Sequence, residues 1–129
     1  MIKQYIATAG RLIFALWYFG VGVLGLVLND RAKDVANAST AFEKALAQTG
    51  FMNLLLCLAC FLGGGALLLR RTAPLGIAIL APLVVIIFCF HLFITKDYLW
   101  GTANLLWLSV LAWRYRSGFD QLWSYAGPI

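Results

Sequence analysis

Charge is scarce in this chain: ten Lys and Arg with five Asp and Glu make up 12% of its 129 residues. A soluble domain usually carries about 25% charged and about 45–50% apolar residues, whereas here the apolar share is 63% and the mean hydropathy +0.87. So few charged side chains cannot cover a 14.2 kDa globule in water. Three cysteines and three prolines exclude a secreted disulfide framework and a collagen-like repeat, and the apolar excess excludes disorder. Histidine occurs once, at His91, and no phosphate-binding glycine loop, nucleophile triad or carboxylate pair is present.

What the chain has instead is long uncharged runs, at residues 12–29, 45–69, 72–95 and 98–113. A hydrocarbon core of about 30 Å takes roughly 20 helical residues, so the first three runs are long enough. The fourth is shorter, but Tyr98, Trp100, Trp113 and Tyr115 can sit at headgroup level while Arg114 and Arg116 snorkel. The expected fold is all-α: an integral membrane four-helix bundle forming one domain over 1–129, with spans at about 12–28, 51–69, 73–95 and 98–113. The first span reads as a retained signal anchor, because the small residues Ala36 to Ala38 lie too far beyond Leu28 for a cleavage site.

Positive residues near spans are retained in the cytoplasm. Lys3, Arg11, Arg70, Arg71, Arg114 and Arg116 fall on one side with only Asp120 against them, which accounts for the full net charge of +5. On the other side Arg31, Lys33, Lys44 and Lys96 are matched by Asp30, Asp34, Glu43 and Asp97. Both termini are therefore expected in the cytoplasm. The basic excess calls for anionic lipid headgroups as its counterpart and for no nucleic acid. The outer segment 29–50 carries a capping-box pattern, Thr40 with Glu43, and a stop at Gly50. It reads as a short amphipathic helix on the membrane surface or as a solvated connector. The tail from Ser117 on, with Phe119, Leu122, Trp123 and Tyr125, is expected at the inner interface.

Helices in lipid associate through small residues and paired polar groups. Arg11, Ala15, Tyr18, Gly22, Gly25 and Asn29 recur at helical spacing and form one stripe on the first span. Asn53, Cys57, Cys60 and Gly64 form another on the second. Pro82 predicts a kink in the third. At about 1.5 Å per residue, Asn53, Cys57, Cys60, His91 and Asn104 share a layer near the outer face. With Tyr18 they are candidates to border a pocket for a hydrophobic small molecule. His91, an ionisable group inside a span, is either a functional residue or a neutral imidazole bonded locally, with Thr95 one turn away. The Cys57-x-x-Cys60 spacing suits dithiol exchange, but the pair lies in an apolar helix without the Lys or Arg that would activate it, so small packing residues are the favoured reading. No metal site is expected.

The order of features resembles the DoxX-like family of small four-span membrane proteins. The resemblance rests on Arg11, Phe19-Gly20, Thr49-Gly50, Gly63-Gly64 followed by Ala66-Leu67-Leu68-Leu69, Arg70-Arg71-Thr72, Ala81-Pro82 and Phe90-His91-Leu92-Phe93, over about residues 11–116. It implies a bundle in the bacterial inner membrane with both ends cytoplasmic, and an association with quinone chemistry, since the family is named after a subunit of a thiosulfate:quinone oxidoreductase. The chain departs from the family where relatives often carry Asn-Lys, here Gly22-Val23, and Glu, here Cys60. Catalysis resting on that charge pair is not expected. The favoured function is an accessory or binding protein for a quinone, a lipid or a partner membrane protein. The alternative is a quinone-linked membrane oxidoreductase using Cys57 and Cys60, or His91.

Overall fold

The computed structural model describes residues 1–120, and every regular element among them is helical. Helix α1 spans Ile2–Val27, α2 Arg31–Asn37, α3 Ala41–Thr49, α4 Met52–Leu68, α5 Ala73–Phe90 and α6 Tyr98–Arg114. A π turn, His91–Thr95, prolongs α5, and a 3-10 turn, Arg116–Phe119, follows α6. Two stretches, Ile2–Val27 and Ala73–Thr95, are long and apolar enough to cross a membrane. Helices α3 and α4, bent by 92° at their junction, make a third when taken as one span. Helix α6 has 17 residues, about 25 Å at 1.5 Å per residue.

Helix α1 begins ahead of its apolar run because residues 2–10 hold no proline to interrupt it. It ends at Val27 with Leu28 as its cap, and Asp30 starts α2 by accepting from the Ala32 and Lys33 amides at 3.1 and 3.4 Å. Nothing in the apolar periodicity marks this second, short helix. The capping box of α3 forms as its sequence predicts: Thr40 Oγ1 accepts from the Glu43 amide at 3.1 Å, and the Glu43 carboxylate accepts from the Thr40 amide at 3.0 Å. Gly50 closes the helix at φ 79°, the left-handed conformation that favours glycine. The predicted kink at Pro82 does not break α5, which continues to Phe90. Departure from regular helix comes later, in the π turn, which Lys96 ends at φ 58°. Of the tail, Phe119 packs partly buried against the core; residues 121–129, with Leu122, Trp123 and Tyr125, lie outside the described residues.

The long helices pack antiparallel in the order α1, α4, α5, α6. Where α1 crosses α4, a Cβ on Gly22 would stand 2.7 Å from Phe61 Cα and 2.9 Å from the Cys57 carbonyl oxygen. Reciprocally, a Cβ on Gly64 would stand 2.8 Å from Phe19 Cα and 2.9 Å from the Ala15 carbonyl oxygen. Backbone meets backbone there, as small residues permit in lipid, where dispersion contacts do the work that apolar burial does in water. Gly76 brings α5 equally close to α4 at Gly63 and Leu67. Leu67, Leu80 and Val84 are the largest fully buried side chains between them. Most large apolar residues outside this core are exposed, as suits a chain whose solvent is lipid.

Candidate functional site

The seam between α1 and α6 is built from bulk rather than from glycine. Phe14 meets Trp107 at 5.5 Å between ring centroids, and Trp17 meets Trp100 edge-on at 5.6 Å. Such rings cannot interdigitate as closely as the α1–α4 glycines. They leave a crevice of about 220 Å³ lined by Ile13, Phe14, Trp17, Trp100, Ala103, Asn104 and Trp107. Its one polar side chain is Asn104, buried at 6% exposure. The Tyr18 hydroxyl donates to Asn104 Oδ1 at 2.9 Å, and Asn104 Nδ2 donates to the Trp100 carbonyl at 2.9 Å. An amide nitrogen carries two protons, so one N–H of Asn104 is without a hydrogen-bond partner among the described residues, in the wall of a crevice whose surface is almost wholly apolar.

Asn53, Cys57 and Cys60 line a different crevice, of about 390 Å³, between α1 and α4 beneath α2. Asn53 Nδ2 donates to Asp34 Oδ2 at 3.3 Å. Cys57 packs on Gly25, and Cys60 is buried in the same core cluster as Tyr18. The cysteines are free thiols. The charged group lining this crevice is the Asp34 carboxylate, the opposite of the cation that a reactive thiolate needs.

His91 stands apart from both crevices, facing α6 where a Cβ on Gly101 would lie 2.8 Å from its own Cβ. Its Nδ1 lies 2.7 Å from the Ile87 carbonyl. A carbonyl only accepts, so this nitrogen carries the proton. The ring's local partner is thus its own helix rather than Thr95, whose hydroxyl accepts from the Asp97 amide at 3.5 Å. The layer at common depth therefore divides: Tyr18 with Asn104, Asn53 with Cys57 and Cys60, and His91 on its own. Among the described residues no cluster of His, Cys, Asp or Glu is disposed to hold a metal ion.

Two features of the site escaped the sequence reading. Trp17, Trp100 and Trp107 are the walls of the aromatic crevice, yet in sequence they are indistinguishable from lipid-facing bulk. Arg11 is 6% exposed, and its Nη1 donates to the Leu67 and Leu68 carbonyls at 2.7 Å each. A guanidinium thereby caps the negative end of α4, supplying donors to carbonyls that have no helical partner. The signal was its place at the head of the inward stripe that also holds Ala15 and Tyr18. No protein-family model, curated protein or solved structure matches the chain.

Proposed function

We propose that this chain is a four-span bundle of the DoxX-like kind, set in a bacterial inner membrane with both termini cytoplasmic, and that it binds a hydrophobic small molecule in the α1–α6 crevice. The observation carrying this reading is an almost wholly apolar, aromatic-walled cleft with a single amide, Asn104, buried in its wall and holding one N–H without a hydrogen-bond partner among the described residues. That combination suits a ring or chain bearing a carbonyl head, such as a quinone or a lipid ester. The alternating charge of the connecting segments supports the topology, and the headgroup anchors Tyr98 and Trp113 support the fourth span. Binding rather than catalysis is favoured because the Cys57 and Cys60 thiols lie against a packed glycine and in the core, and the charged group among the described residues lining their crevice is the Asp34 carboxylate.

Tryptophan fluorescence of the purified chain in nonionic detergent, titrated with a short-chain benzoquinone, tests it. Saturable quenching is expected, with Asn104→Leu weakening it about tenfold, the equivalent of one good hydrogen bond. Quenching that rises linearly without saturation, or that Asn104→Leu leaves unchanged, overturns the proposal.

A further inference from the structure

At the opposite end of the α1–α6 seam from Trp100 lies a recess of about 420 Å³, lined by Arg11, Arg70 and Arg114 together with Tyr5, Thr8 and Tyr115. Three guanidinium groups from three helices or turns converge there. Among the described residues that line it none is a carboxylate. Arg11 is the deepest of the three. Its Nη1 is spent on the ends of α4, but its Nε is buried without a hydrogen-bond partner among the described residues. A guanidinium carries five N–H donors, so the buried cation is left only partly satisfied. Leaving such a group unmatched costs stability that an incoming anion restores.

We infer that this recess binds the phosphate group of an anionic membrane lipid. Arginine forks match phosphate oxygens two at a time, and the hydroxyls of Tyr5, Thr8 and Tyr115 are further donors on the same walls. The choice of lipid over free phosphate rests on the surroundings. Ile6, Leu69 and Trp113, the sequence neighbours of the lining residues, are exposed apolar side chains at 66%, 64% and 71%. Basic recesses between helices at the positive side of a membrane are the setting in which anionic headgroups are recognised. The inference rests on reading the helices as membrane spans; it does not depend on what fills the crevice at Asn104.

Native mass spectrometry of the full chain in nonionic detergent, with equal amounts of phosphatidylglycerol and phosphatidylcholine of the same acyl chains, tests it. Phosphatidylglycerol adducts should dominate. Arg70→Gln and Arg114→Gln, both at exposed positions, should each cut that preference about fivefold and together roughly thirtyfold, while helicity by circular dichroism stays unchanged. The single variants carry the test should the double variant not fold. Equal adducts of the two lipids on the native chain, or an unchanged preference in the single variants, overturns the inference. Millimolar inorganic phosphate that displaces phosphatidylglycerol completely overturns the lipid assignment. Benzoquinone quenching read on the same variants reports on the other crevice, so the two ideas fail separately.

Discussion

Tyr18 and Asn104 close the bundle across a gap that the backbones do not close: a 2.9 Å hydrogen bond joins the first long helix to the last. Both groups sit in an apolar interior, so removing one partner leaves the other without compensation. Asn104→Leu should therefore destabilise the fold by about 1–2 kcal/mol. Adding Tyr18→Phe should recover part of that loss, because the orphaned hydroxyl then disappears. Unfolding of the two single variants and the double variant in mixed micelles measures the coupling. Strictly additive losses would show that the bond contributes nothing.

The crossing of α1 and α4 leads to a second prediction. Gly22→Leu and Gly64→Leu place atoms where the partner backbone already lies, and each should cost about 1–3 kcal/mol or more by overpacking. Gly20 is the internal control: nothing stands within 4 Å of its added Cβ, so Gly20→Ala should melt like the native chain. If Gly22→Leu melts with it, the stripe is not the contact.

That stripe is also the part of the fold most legible in the sequence. Arg11, Ala15, Tyr18 and Gly22 stand out because they recur at helical spacing along a run that is mostly large and apolar, and these four are among the buried residues of α1. Small and polar side chains announce the inner face of a membrane helix, since bulk is free to point at lipid. The α1–α6 seam gives no such sign. Trp107 has the same composition signal whether it lines a cleft or faces acyl chains, and only the position of Phe14 against it decides. Position along a helix can be counted from residue number, which is how Asn53, Cys57, His91 and Asn104 came to be grouped. Angle around the axis did not follow for three helices of unknown relative rotation, and it is angle that separates them. The role of Arg11 was hidden for a different reason. Its partners are the backbone carbonyls of Leu67 and Leu68, which no side-chain pattern encodes.

Arg11 itself is open to direct test. Hydrogen bonds to charged groups are worth about 1.5–3 kcal/mol each, and this side chain makes two with one nitrogen. Arg11→Gln should lower the melting temperature in detergent markedly, and Arg11→Lys should recover part of the loss through its charge at the end of α4. A melting temperature unchanged in Arg11→Gln would mean that the α4 carbonyls are satisfied by other donors.

The orientation proposed for the bundle makes a prediction independent of its packing. Reporter tags fused before Met1 and after Ile129 should both be inaccessible to an impermeant label in intact cells, and a tag inserted at Asn37 should react. Labelling of either terminus from outside would overturn the assignment of the basic side to the cytoplasm.

The cap of α3 gives the molecule a local response to acid. The Ser39 hydroxyl donates to the Glu43 carboxylate at 2.7 Å and, with the Ser39 and Thr40 amides at 2.8 and 3.0 Å, holds its pKa below the usual glutamate value against the opposing effect of burial. A carboxyl depressed in the folded state contributes stability that is present above its unfolded pKa and is lost as pH falls through its folded one. Amide protection factors across α3 should therefore hold steady from neutral pH down to the ordinary glutamate range and fall below it. Protection on α4 should not follow. In Glu43→Gln the side chain cannot titrate, so the α3 protection should be lower at neutral pH and independent of pH across that window. A Glu43→Gln profile with the same acid step as the native chain would place the titrating group elsewhere.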